Sequence, residues 1–327
     1  MRRRSPHTVF VLLAALWAGG CDWASSDGTP RAGDRLAVTD YADAQPSSRA
    51  GYAAFGAIGD YGSVWLYDLG SGPDDPPRLV RSIRMAGVLP SAAQVDARGY
   101  VWVAAPYVEA GGSGASYTLY VVDPHAGTVH RALDLPLALG TVDDVAVYDD
   151  AVFFRSVGGG VGRVDPACAV AEARCAVSPF AALANTTGAR SPSLLRVGGS
   201  LYAASTTSDA NDQPGLERVD TATGDVVRSA PFSGRTTTDG ERLYLTARLP
   251  SDGPTLLALR LDDLGVERSR RIATGAGFVA PDVLMLNGTA ALDVSTGRLL
   301  LDPARGSADL GSSPGALRLP QGHPLAY

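Results

Sequence analysis

The chain has 327 residues, a formal net charge of −6, 28 arginines and no lysine. The weakly negative balance and scattered arginines exclude the basic patch of a nucleic-acid binder. The 38 glycines and 22 prolines favour a chain of short elements and turns over one of long helices.

The N-terminus carries the first signal. Arg2, Arg3 and Arg4 precede an apolar run over residues 9–18, and Ala18, Gly19 and Gly20 then lead to Cys21. This pattern reads as a signal peptide over residues 1–20, too short and wrongly flanked for a permanent transmembrane helix. The stretch Ala18-Gly19-Gly20-Cys21 resembles a bacterial lipobox, although Ala18 stands where that family prefers Leu. The resemblance implies that Cys21 is acylated and becomes the mature N-terminus, anchoring the chain to a membrane. Ordinary signal-peptidase cleavage, with Cys21 left as a spare thiol, is the alternative. Asp22 resembles the inner-membrane retention residue of enteric lipoproteins. Residues 21–34 are polar, with Ser, Gly and Pro, and read as a flexible tether. No later apolar run is long enough to span a bilayer.

Beyond the tether, strand-length segments dominate. They lie at 100–104, 145–148, 152–157, 200–204, 242–247, 256–261 and 283–286, most of them rich in β-branched or aromatic residues and ended by turn residues. Short turns such as Asp96-Ala97-Arg98-Gly99, Gly198-Gly199 and Asp239-Gly240 join many of them as hairpins.

A second pattern recurs where strands end: an apolar residue or pair, an Asp, and a turn closing on Gly. Its clear copies are Asp123 to Gly127, Asp220 to Gly224 and Asp293 to Gly297, with looser ones centred on Asp68, Asp165 and Asp262. The Asp side chain accepts hydrogen bonds from turn amides, and Gly supplies the positive φ. Successive copies lie roughly 30 to 55 residues apart, the range of one propeller blade per repeat. The Ala291-Leu292-Asp293…Thr296-Gly297 form resembles the repeat of the PQQ-like and related bacterial propeller families. That resemblance covers about residues 50–305 and implies architecture only, because the tryptophan that often follows the Gly in PQQ-type repeats is absent. The expected fold is therefore an all-β propeller over residues 35–320, six-bladed with seven as the alternative, and a tail at 321–327. The first blade is expected to draw a missing inner strand from 35–40 or 315–319. The last blade is expected near Phe278, 283–286, 289–292 and 298–301.

Three cysteines leave Cys168 and Cys175 as a pair once Cys21 is set aside. In an exported chain they are expected to form a disulfide in the turn after Asp165. Free buried thiols would suit a reducing cytosol, and a zinc site suits neither the spacing nor the lack of a nearby histidine.

Candidate chemistry is sparse. His125 and His130 flank one hairpin turn and read as surface residues. The pairs Asp74-Asp75, Asp143-Asp144, Asp149-Asp150 and Asp262-Asp263 mostly read as turn residues, without the differing environments that acid–base work needs. The loop from Asp209 to Gly215 begins like a calcium loop but has Pro214 where Gly is required. The glycines at 111–114 and 158–162 lack the Lys and the helix of a phosphate loop and read as tight turns. No catalytic, metal or cofactor residues are assigned, and no cofactor is expected. The reading is a lipid-anchored binding or scaffolding module on the periplasmic or extracytoplasmic side of the cell envelope, with a protein or small-ligand partner at a propeller face. The alternative is a metal- or quinone-dependent propeller enzyme, a lactonase-like hydrolase or a dehydrogenase.

A cross-link closing about eight residues contributes roughly 2.5 kcal/mol on the chain-entropy argument. Non-reducing peptide mapping should recover the Cys168–Cys175 pair, and Cys168→Ala should lower stability by about that amount without abolishing folding. Two titratable thiols in the native protein would contradict the assignment.

Overall fold

The computed structural model describes residues 30–293 apart from 41–51, 58–61, 69–77, 86, 91, 106, 109–117, 136–141, 157–158, 171–174, 176, 185–192, 206–214, 239–240, 250–252, 272–276, 281–282 and 287–289. In chain order the first sheet holds β1 (Ala37–Asp40), β2 (Tyr52–Ala57), β3 (Ser63–Asp68) and β4 (Arg78–Arg84). Next come β5 (Val88–Leu89), β6 (Ala92–Val95), β7 (Val101–Ala105), β8 (Tyr107–Val108), β9 (Thr118–Asp123) and β10 (Thr128–Asp134). Of these, β6, β7, β9 and β10 form the second sheet, while β5 and β8 pair as a small ribbon. The third sheet is β11 (Val142–Val147), β12 (Val152–Ser156), β13 (Gly160–Val164) and β14 (Ser178–Ala182). The fourth is β15 (Ser193–Val197), β16 (Ser200–Ala204), β17 (Leu216–Asp220) and β18 (Val226–Ala230). The fifth is β19 (Gly234–Thr238), β20 (Arg242–Leu249), β21 (Gly253–Arg260) and β22 (Val266–Arg271). Three further strands, β23 (Gly277–Ala280), β24 (Val283–Leu286) and β25 (Ala290–Asp293), form the last. All strand pairs are antiparallel, and the second to fifth sheets are meanders in which strand order follows chain order.

Side-chain alternation decides how these sheets meet. Successive residues of a strand point to opposite faces, and here both faces are apolar. On the second sheet, Val101, Val103, Tyr120 and Val122 join Val64, Leu66 and Ile83 of the first. The intervening Trp102, Ala104, Leu119 and Val121 join Val142, Val145, Val152 and Phe154 of the third. The other face of the third sheet, with Ala146, Phe153 and Val161, meets Leu194, Leu201 and Val219 of the fourth. The fourth in turn gives Tyr202, Ala204 and Leu216 to Leu243, Leu245 and Leu257 of the fifth. Strands β7, β12 and β16 are buried along their whole length, as a strand covered on both faces must be. The first strands β6, β11, β15, β19 and β23 lie side by side in that order, with β2 beside β6. Sheets stacked face to face in chain order, each with its first strand against the next sheet's first strand, make a β-propeller.

The Asp–Gly turns behave as their chemistry requires. Asp123 Oδ1 accepts from the His125 and Ala126 amides at 2.8 and 2.9 Å, and Gly127 closes the turn at φ +65°. Asp220 Oδ1 accepts from Ala222 and Thr223 at 2.8 and 3.1 Å, with Gly224 at φ +81°. Two looser copies differ from expectation. The turn near Asp262 closes when Leu264, at φ +60°, donates its amide to the Arg260 carbonyl at 3.1 Å. The position equivalent to Asp123 is thus Arg260, which pairs with Asp263 at 2.7 Å. Leu264 tolerates the left-handed backbone because its side chain is buried in the core shared with the fourth sheet. Asp68 ends the second strand of its sheet rather than the third, so it lies one strand out of phase with Asp123, Asp165 and Asp220.

The first sheet corrects a further expectation. Its order is β1-β4-β3-β2, so residues 52–57 are themselves the inner strand. The segment 37–40 does complete the sheet, but at the outer edge against β4. Just before it, Gly33 and Leu36 donate their amides to the Val129 and Gly127 carbonyls at 2.8 and 2.7 Å. The same segment therefore clasps the outer strands of two successive sheets. Arg81 fastens it: Nε meets Asp40 at 2.6 Å, while Nη1 donates to the Pro124 carbonyl in the second sheet. The last sheet follows expectation in its three described strands; 298–301 and 315–319 lie outside the described residues.

In the second sheet, Asp96 Oδ1 accepts from the Arg98 and Tyr100 amides at 2.8 and 3.0 Å, and Oδ2 from Trp102 Nε1 at 3.0 Å. Replacing this buried acceptor orphans three donors, one on a fully buried indole. Asp96→Ala should cost roughly 3 kcal/mol in denaturant unfolding, and Asp96→Asn less. A loss under about 0.5 kcal/mol would contradict this role.

Candidate functional site

Three of the five buried charged side chains among the described residues, Asp143, Arg155 and Glu217, lie at the seam between the third and fourth sheets. Val142 pairs with Ser156, and Asp144 with Arg155, so Asp143 is the extra residue of a β-bulge at the start of β11. The bulge re-aims side chains locally, as bulges do. Sequence reasoning placed the strand at 145–148; it begins at Val142 and takes in both aspartates, which are therefore not turn residues.

Each charged group reaches the neighbouring sheet. Asp144 Oδ2 accepts from the Leu194 amide of β15 at 2.7 Å. Arg155, only 3% exposed, donates through Nη1 to the Ala204 carbonyl of β16. Glu217 of β17, 2% exposed, accepts through Oε1 from the Ala184 amide just past β14 at 3.0 Å. Farther along, the Tyr148 hydroxyl accepts from the Arg196 amide at 2.5 Å, and Arg196 pairs with Asp150 while lying over the Tyr148 ring. That ion pair holds the Asp150 carboxyl below its usual range.

Three carboxylates face one guanidinium here, and burial penalises the surplus negative charge. Desolvation, opposed by Arg155 and reinforced by Asp144, pushes the Asp143 carboxyl up to about 8. Burial pulls the Arg155 guanidinium down, against the attraction of Asp143, Asp144 and Glu217. At neutral pH Asp143 is thus a neutral carboxylic acid, able to donate a hydrogen bond. The other three groups hold main-chain atoms of adjoining sheets. Sequence reasoning missed Arg155 and Glu217. Arg155 carried a signal, a charge directly after Val152-Phe153-Phe154 on a strand buried along its whole length. Glu217, beside Arg218 in Leu216-Glu217-Arg218-Val219-Asp220, carried none.

The remaining candidates disperse. Cys168 and Cys175 are bonded, with Cα atoms 5.5 Å apart, in the loop between β13 and β14. His130 lies on Tyr100 with ring centroids 4.8 Å apart, and the His125 amide serves the Asp123 turn. Asp262 and Asp263 shape the turn before β22; Arg260 draws the Asp263 carboxyl down to about 2. Of the glycine run, Gly158 lies outside the described residues, Gly159 takes a positive φ of 81° before the strand, Gly160 opens β13, and a Cβ on Gly162 would stand 1.9 Å from the Phe154 ring. That glycine is a packing requirement. Cys21, Asp74, Asp75, residues 111–114 and the loop 209–214 lie outside the described residues.

No protein-family model and no curated protein matches the chain. Among similar solved structures is dihydro-heme d1 dehydrogenase NirN in complex with DHE, at 14% identity and TM-score 0.45 over 81% of this chain and 65% of that one. This chain thus spans just under two thirds of the NirN chain. Hsv2 of Kluyvelomyces marxianus is 11% identical, with TM-score 0.44 over 79% of this chain and 77% of that one. The β-propeller domain of Myceliophteria thermophila Cps50 (Swd1) is 12% identical, with TM-score 0.43 over 80% of this chain and 98% of that one.

The buried acid makes stability depend on pH in a defined direction. Between about pH 4 and about pH 8 the folded chain keeps the Asp143 proton that the unfolded chain releases, so stability falls as pH rises through that window. Asp143→Asn should flatten this fall by at least about 1 kcal/mol between about pH 5 and pH 8.5, read from denaturant midpoints. An unchanged slope would show that Asp143 ionises normally.

Proposed function

We propose that this chain is an exported, lipid-anchored β-propeller that serves as a binding or scaffolding module at the bacterial cell envelope. We read six blades, the last completed by residues beyond Asp293, and a repeat of the PQQ-like and related type. The observation that carries the binding role is the use made of the seam charges. Asp144, Arg155 and Glu217 each grip a main-chain group of the neighbouring sheet, so the chemistry concentrated there holds blades together. The partner, a protein or a small ligand, is then met at a propeller face.

The anchor reading rests on Ala18-Gly19-Gly20-Cys21 and on where the body begins. The outer-edge strand β1 starts at Ala37. The chain is already fastened to the second sheet at Gly33, whose amide donates to the Val129 carbonyl at 2.8 Å, so a tether over residues 21–32 would, fully extended, reach at most about 43 Å. Such a leash holds the body near the bilayer by its rim and leaves the two faces open to partners.

Membrane-expressed protein should lack residues 1–20 and carry the added mass of a diacyl or triacyl modification on Cys21, with the Cys21→Ser form moving to the soluble fraction. Mature protein that begins at an unmodified Cys21 would overturn the anchor.

A further inference from the structure

The Cys168–Cys175 bridge is placed where breaking it would matter. Cys168 and Ala169 belong to the core that joins the second and third sheets, with Trp102, Leu119 and Leu133. The loop is held onto the second sheet from outside as well: Arg98 Nη1 donates to the Pro166 carbonyl at 3.3 Å. The two sulfurs sit in unlike surroundings. Cys168 is buried, whereas Cys175 is only partly so and has the Arg131 guanidinium of β10 at 2.9 Å from Sγ. A structural staple needs no cation at one sulfur. A cation there favours the Cys175 thiolate of the fully reduced pair, and stabilising the reduced form makes a disulfide a better oxidant.

We propose that Cys168–Cys175 is a thiol-exchange site that accepts electrons from dithiols, with Cys175 as the attacked and later thiolate-forming sulfur and Arg131 as its positioning residue. A thiolate of the dithiol attacks Cys175 Sγ; the S–S bond breaks, and Cys168 leaves and takes up a proton. The second thiol of the reductant then attacks its own sulfur in the mixed disulfide, giving the cyclic disulfide and releasing Cys175 as a thiolate facing Arg131. Two electrons pass to the protein; of the two dithiol protons, one ends on Cys168 and one in solvent. Because Cys168 lies in the seam core, reduction loosens the grip of this loop on the second sheet.

The test uses the purified, folded chain reduced with dithiothreitol, then alkylated with iodoacetamide across a pH series and read by peptide mass. Cys175 should react about tenfold faster at neutral pH than in Arg131→Ala, whose rate profile moves to higher pH, while Arg131→Lys keeps most of the wild-type behaviour. In a glutathione redox buffer Arg131→Ala should shift the equilibrium about tenfold toward the disulfide. Reduction should also speed amide exchange in β10 and β13. The proposal is overturned if the bridge resists dithiothreitol until the chain unfolds, or if Arg131→Ala leaves the pH profile unchanged. It is equally overturned if Arg131→Ala is reduced more readily than wild type, since that outcome marks Arg131 as a purely structural brace.

Discussion

The second, third and fourth sheets of this protein each have two apolar faces, and each face must be covered. Alternation sends Val101 and Val103 toward the first sheet and Trp102 and Ala104 toward the third, so the second sheet cannot be an outer layer. The same holds for the third, through Phe154 on one side and Phe153 on the other, and for the fourth, through Leu201 and Tyr202. At roughly 1.5–3 kcal/mol for each large apolar side chain removed from water, these two-sided cores dominate the stability of the stack. They also set its composition. The short strands are rich in Val and Ala, and Gly162 is small because Phe154 occupies the space a Cβ would take.

Apolar faces alone would let adjoining sheets slide, and hydrogen bonds across the seams fix their relative positions. The Val147 amide donates to Gln94 Oε1 at 2.9 Å between the second and third sheets, and Tyr202 donates to the Leu261 carbonyl at 2.7 Å between the fourth and fifth. The third–fourth seam uses charged groups for the same purpose, and burial there keeps one carboxyl neutral. A buried charged network is a weak source of net stability but a strong penalty against misalignment. At the first two sheets the N-terminal segment does this from outside, with Arg81 joining Asp40 and the Pro124 turn.

Much of the architecture was legible because it is written in local chemistry. Asp123 and Asp220 act as the Asp–Gly pattern requires, since an Asx turn is specified by four or five residues. The paired cysteines after Asp165 were legible from the cysteine count, once Cys21 is set aside. What was not legible depended on context. The turn at Leu264 breaks the glycine rule because a buried side chain outweighs local backbone preference. The bulge at Asp143 hid two aspartates inside a strand, since it breaks the alternation by which strands are recognised. Whether residues 37–40 form an inner or an outer strand is settled by pairing with β4, a relation that no local pattern records.

Peptide-resolved amide hydrogen exchange on the native protein tests the stack most directly. Sheets covered on both faces make β7, β12 and β16 exchange only through global unfolding, while the outer strands β18 and β22, with exposed Val226, Val227 and Val266, exchange orders of magnitude faster. Protection should fall from the second strand of each sheet to its outer edge, repeating sheet after sheet along the chain. Outer strands as protected as β12, or a whole sheet that exchanges freely on one face, would contradict face-to-face stacking.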